Sequence, residues 1–208
     1  MPTCSEARSS LLSLLRGAEH FNTEVFPAKE ALFASLAKGQ SPGALFIACA
    51  DSRIDPNLIT QTEPGSLFIL RNIGNLVPAY GEMLGGVSSA IEYAVMALGV
   101  STIIVCGHSD CGAMKALLDP EKSGLDTMPT VKSWLRNAEA ARAATLNTFR
   151  SDDVGPATVR CIAEQNVLLQ LAHLRTHPAV AAGLAGRTLL LHGRVYDIGS
   201  CEITIPDE

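Results

Sequence analysis

No stretch of this chain approaches the ~20 consecutive apolar residues that a membrane-crossing helix requires, although 47% of its residues are apolar. No run of Lys or Arg offers a surface for anionic lipid. The formal net charge of −5 argues against nucleic acid as a partner, because that binding rests on neutralising phosphates. No strand-like segment leads into a Gly-x-Gly-x-x-Gly turn, which weighs against a dinucleotide site. Internal repeats, low-complexity tracts and a convincing linker are missing as well. The N-terminal residues lack a charged region followed by a long apolar one, since Leu11 to Leu15 is short and interrupted by Ser13, so no targeting peptide is expected. Six cysteines are scattered over 208 residues, a usage that reads as a reducing compartment rather than a disulfide framework. The expectation is a soluble, cytoplasmic, globular chain of one domain, long enough to bury a sizeable core.

Two stretches organise what is present. Cys49-Ala50-Asp51-Ser52-Arg53 and Gly107-His108-Ser109-Asp110-Cys111-Gly112 each follow a short aliphatic or β-branched run, Ala44 to Ala50 and Thr102 to Gly107, that reads as a buried strand. If these strands are parallel neighbours, Cys49, His108 and Cys111 leave the same edge of the sheet, where open α/β sheets bind ligands. Two cysteines and a histidine suit zinc, with a fourth position left open as in catalytic sites. Any one of the three alone would read as an ordinary buried residue. Asp51 and Arg53, two apart, share a side of an extended segment. The guanidinium would keep the carboxylate ionised and orientated.

The rest of the pattern is strand and helix in alternation, which implies a parallel sheet with right-handed crossovers. Helices are predicted over Ser5 to Ala18, Val25 to Lys38 (entered through Pro27), Val87 to Leu98, Pro129 to Phe149 and Val159 to Leu174, with a short one at Pro56 capped by Asp55. Ser66 to Arg71 reads as a second buried strand, Arg187 to Ile198 as a long final strand or strand pair, and Glu202 to Ile205 as an edge strand. The fold class is therefore α/β: a parallel sheet of about four strands plus an edge strand, flanked by helices. Trp134 reads as plain packing, and His173 and His177 as helix-cap or surface residues.

The segments CADSR, EPGSLFILRNIGN, GGVSSAIEYAV and GHSDCGA resemble the β-class carbonic anhydrases, from about Gly39 onward. The resemblance implies a zinc hydro-lyase that interconverts carbon dioxide and bicarbonate. A metal-activated hydroxide would be orientated by Asp51, with Arg53 holding Asp51 off the metal. It implies substrate contacts from Gln40, Phe68, Ile73, Tyr93 and the Gly112 N–H. It also implies that residues 1–38 form a helical arm embracing a second subunit, in a homodimer or dimer of dimers. The alternative for the arm is packing on its own domain. Where some plant members carry a histidine that exports protons, this chain has Ala97. Phe46, Arg71 and Tyr196 stand where one subgroup has a tryptophan, arginine and tyrosine around bicarbonate. Phenylalanine lacks the N–H donor, and with Gln40 this points to the plant-type subgroup with an open zinc position. Two other readings stand beside this one: a carbon disulfide or carbonyl sulfide hydrolase on the same scaffold, and a non-catalytic zinc-stabilised binding module.

Overall fold

The computed structural model describes residues 3–150 and 154–207. The chain divides into two compact units, Met1–Gln40 and Ser41–Glu208.

The N-terminal unit is helical. Helix α1 (Cys4–His20) starts at a capping box, in which Thr3 Oγ1 accepts from the Glu6 N–H and Glu6 accepts from the Thr3 N–H. The two predicted helices are not separated by a loop. A wider turn, Phe21–Val25, carries the helix on, with the Phe26 N–H reaching back to the Phe21 carbonyl. Pro27 cannot donate, and the wide turn absorbs the missing bond. Helix α2 (Glu30–Leu36) follows. Phe33 holds Phe21 edge-on at 5.7 Å and Phe26 at 5.8 Å. No described residue of this unit is buried, and Leu14 is 70% exposed.

The larger unit is built on a five-stranded sheet of order β2-β1-β3-β4-β5, with β1 Ala44–Cys49, β2 Leu67–Asn72, β3 Thr102–His108, β4 Leu190–Tyr196 and β5 Ile203–Thr204. The first four strands are parallel and β5 is antiparallel to β4. The expected sheet is thus present. The strand β2 departs from its reading as buried: it lies at the sheet edge, and Ile69 and Arg71 are exposed. The central strands β1 and β3 are covered, with Leu45, Ile47, Ile103 and Val105 fully buried.

Helices α3 (Pro56–Thr60), α4 (Gly86–Glu92), α5 (Gly112–Leu118), α6 (Pro129–Leu135), α7 (Glu139–Thr148), α8 (Pro156–Leu174) and α9 (Pro178–Ala185) complete the unit. Asp55 caps α3 as expected, accepting from the Asn57 and Leu58 N–H groups. The single helix predicted over Pro129 to Phe149 is two, parted by a tight turn at Arg136–Ala138, where the Asn137 side chain caps the Trp134 carbonyl at 2.8 Å. Helix α9 was not foreseen. Helix α8 runs close behind the sheet. A Cβ on Gly107 of β3 would lie 2.9 Å from Val167 Cγ2, and one on Gly193 of β4 would lie 2.7 Å from Val167 Cγ1. Glycine at these positions is what lets the helix seat on both strands.

His173 lies in the last turn of α8 and His177 is the N-cap of α9, as a cap reading expects, but His177 is buried and not at the surface. His177 is 3% exposed and its Nε2 bonds the Pro78 carbonyl at 3.0 Å, while His173 Nδ1 bonds the Val77 carbonyl at 2.7 Å. Both hold the loop that follows β2, and burial lowers the pKa of His177. Among the described residues no helix is long and apolar enough to cross a membrane.

Candidate metal centre and its dyad

From β1 the chain turns to β2 on one side, and β3 then lies on the other. The carboxyl ends of β1 and β3 therefore flank the point where strand order reverses, the place where open α/β sheets leave a crevice. Cys49 ends β1 and His108 ends β3. A left-handed residue, Asp110 at φ +58°, turns the chain so that Cys111 sits at the N-cap of α5. The ligand atoms of Cys49, His108 and Cys111 lie within 4.8 Å of one another, and all three residues are buried.

The histidine shows what the group is suited to hold. Its Nδ1 lies 2.8 Å from the Ser109 carbonyl. A carbonyl only accepts, so Nδ1 carries the proton and Nε2 is left with a lone pair. That Nε2 is buried and without a hydrogen-bond partner, an arrangement with a cost unless a cation faces it. The thiols add the complement. Cys49 is lowered, chiefly by a hydrogen bond from Cys111, and Cys111 is raised, chiefly by that same pairing and then by burial. A divalent metal bound there would displace the thiol protons. The backbone N–H groups of Gly74 and Asp51 help lower Cys49, and those of Ala113 and Met114 oppose the rise at Cys111. The residues present therefore fit a thiophilic divalent metal such as zinc, with three protein ligands.

Asp51 and Arg53 stand beside this group. Arg53 Nε and Nη2 donate to the two Asp51 carboxylate oxygens at 2.9 and 2.7 Å, and the Arg53 N–H donates to Oδ1 at 3.0 Å. This bidentate grip holds the Asp51 carboxyl well below the usual carboxylate range. Asp51 Oδ2 lies 4.0 Å from His108 Nε2. Sequence reasoning missed two supports of the pair. Asp110 Oδ2 accepts from Arg53 Nη1 at 2.9 Å, and Lys115 pairs with the same Asp110 carboxylate. Arg71 donates to the carbonyls of Cys49 and Asp51 at 3.0 and 2.6 Å. The signal for Asp110 was its place inside GHSDCGA; Arg71 was singled out only as a match to a bicarbonate-pocket arginine, whereas here it holds the Cys49 and Asp51 carbonyls.

The expected substrate residues are more dispersed. Ile73 and Gly112 line one depression of about 530 Å³, with Ala113 and Val131. Phe68 and Tyr93 meet each other, ring centroids 6.0 Å apart. Gln40 is the last residue of the N-terminal unit and is described within it alone. Cys106 lies outside the metal-capable group, and burial pushes its thiol up to about 12.

Comparison with known proteins gives one answer. The family model described as carbonic anhydrase matches residues 44–203. A carbonic anhydrase of Pseudomonas aeruginosa is 50% identical over 194 residues, covering 93% of this chain and 86% of that one. Among solved structures, the β-carbonic anhydrase CcaA superposes with a TM-score of 0.90 at 43% identity, covering 95% of each chain. One from a study of two tetrameric β-carbonic anhydrases of Sordaria macrospora superposes with 0.83 at 29% identity, covering 95% of this chain and 96% of that one.

Proposed function

The chain belongs to the β-class carbonic anhydrase family, so its reaction is the reversible hydration of carbon dioxide to bicarbonate and a proton, and we propose that zinc held by Cys49 Sγ, His108 Nε2 and Cys111 Sγ serves it. The observation that carries this is the orphaned, buried lone pair of His108 converging with the Cys49 and Cys111 sulfurs, the three ligand atoms lying within 4.8 Å of one another. Zinc in that position supplies Lewis-acid activation of a water. Asp51 accepts the hydrogen bond that aims the attacking oxygen, and Arg53 keeps Asp51 ionised and turned away from the metal. Asp110 and Lys115 steady Arg53 from its other side. Ile73, Phe68 and Tyr93 offer apolar surface to carbon dioxide. The Gly112 N–H and the Gln40 amide offer donors to bicarbonate.

A carbon disulfide or carbonyl sulfide hydrolase is not favoured, because the curated relatives are carbonic anhydrases at 44–50% identity. A purely structural metal site would want a fourth protein ligand and has no use for the Asp51–Arg53 pair. Stopped-flow hydration of carbon dioxide tests the reading. The rate falls to the uncatalysed level on chelation and returns with zinc, while sulfide release from carbonyl sulfide stays marginal. Undiminished hydration after verified metal removal would discard the zinc assignment.

The open-position subgroup is favoured by Phe46, which is 3% exposed and has no donor. Arg71 and Tyr196 are also otherwise engaged: Arg71 with backbone carbonyls, and the Tyr196 hydroxyl with Cys201 Sγ at 3.3 Å. A cytoplasmic location is supported by six free cysteines. The N-terminal unit supports assembly into at least a dimer. Leu11, Leu12, Leu14 and Leu15 are 46–70% exposed, a patch that calls for a partner surface. Deleting residues 1–17 is expected to yield a smaller species in analytical ultracentrifugation with most activity gone. A truncated chain that keeps both its assembly and its rate removes the arm from this account.

A further inference from the structure

The loop after β2 carries two consecutive peptide groups, each gripped on its carbonyl side by a different helix. The Trp134 indole N–H, from α6, donates to the Ile73 carbonyl at 2.8 Å. That carbonyl and the Gly74 N–H belong to one planar peptide group, so the indole fixes the plane of a peptide that directly follows Asn72 and Ile73, at the point where Asn72 pairs with Cys49 across β2 and β1. The next carbonyl, that of Gly74, accepts from Asn166 Nδ2 of α8 at 3.0 Å. Asn166 is itself orientated by Gln170 Nε2, which donates to its Oδ1 at 2.8 Å, while Gln170 Oε1 accepts from the Val77 N–H at 2.8 Å. Both amides are fully buried. Burying them is costly unless every bond is made, and these bonds go largely to this loop. The loop's start is fixed too, since the Ala50 N–H donates to the Asn72 carbonyl at 2.8 Å. Gly74 has no room to shift: its φ is +76°, and a Cβ there would lie 3.1 Å from Ala113 Cβ and 3.2 Å from Met114 Cε, on the helix that carries Cys111.

From this convergence we infer that Trp134 and Asn166 are positioning residues of the metal centre, which hold the Ile73–Asn75 turn against the end of β1 that carries Cys49 and against the helix that carries Cys111. The inference rests on the zinc reading above. Outer contacts that hold ligand-bearing segments in place are one of the ways a protein tunes a metal.

Cobalt(II) substitution gives the readout, through the thiolate-to-cobalt charge-transfer band and the cobalt affinity measured against a chromophoric chelator. Trp134→Phe keeps the ring and deletes the donor. Asn166→Asp keeps the acceptor for Gln170 and deletes the donor to Gly74. Both variants are expected to move the band and to weaken cobalt binding about tenfold, the scale of outer-shell substitutions. Thr176→Val deletes the partner of the Tyr80 N–H at the far end of the loop (2.8 Å). It lowers thermal stability while leaving band and affinity in place. Unchanged band and affinity in Trp134→Phe and Asn166→Asp would reduce both residues to scaffold and overturn the inference alone, as would an equal shift in Thr176→Val. If Asn166→Asp does not fold, Trp134→Phe decides. An unmodified chain that takes up no cobalt overturns the metal reading and this inference with it.

Discussion

Cys111→Ser is expected to lose most of its metal and most of its turnover while keeping its fold. The two halves of that result have separate causes. Serine offers a harder oxygen whose proton is far more tightly held than that of a thiol, so one of the two soft ligands is gone. The loss should exceed the ~10–100-fold typical of outer contacts. The fold, by contrast, has reason to survive. Cys111 occupies the N-cap of α5 with extended backbone, and serine is among the preferred residues there. Its hydroxyl can accept from the Ala113 or Met114 N–H, the second and third positions of the helix that Cys111 caps. Metal analysis beside a thermal melt checks this. Full zinc content with wild-type rates would mean the ligand set is wrong.

The second large effect lies in the dyad. Asp51→Ala and Arg53→Ala should each leave zinc bound and cut turnover by about 10²-fold, the scale on which misplaced reacting groups are felt. The double variant should be little worse than either single, because the two residues act as a unit. Additive losses would assign them separate roles. The pH profile follows from the same pairing. Arg53 holds the Asp51 carboxyl well below the usual range, so Asp51 is ionised throughout the neutral and alkaline region and contributes no titration there. A metal held by two thiolates would receive more charge than one held by imidazoles, and a water it activates would be less acidic. Hydration therefore rises toward alkaline pH as a single-proton curve. A curve clearly steeper than one proton, or a crystal near neutral pH with Asp51 bonded to zinc, would place the chain in the other subgroup.

Much of the architecture was legible because buried parallel strands write themselves as continuous apolar runs. Ala44 to Cys49 and Thr102 to His108 are such runs. The metal-capable trio was legible because its chemistry is written in residue type at fixed spacing. What was missed has a different cause. His173, His177 and Trp134 act through side-chain bonds to backbone carbonyls 61 to 99 residues away in sequence, and no local pattern encodes a partner that distant. Asn137 parted α6 from α7 by capping a carbonyl within a stretch whose periodicity reads as unbroken. Pro27 was given a helix start, yet a wide turn let the helix continue through it. The dispersed substrate residues and the arm came from resemblance alone.

The ends of β1 and β3 are neighbours in the sheet, but β2, α3 and α4 intervene between them in the chain. His108 and Cys111 are adjacent turns of backbone and can meet early; Cys49 reaches them only when β1 has docked along β3. Closing that excursion is entropically costly and slow relative to local structure. Two of the three ligands are therefore available to a partly folded chain and the third is not. For a metal held by all three residues, tight capture would be a late event that reports a finished sheet, and the ion would seal the fold after assembly instead of nucleating it.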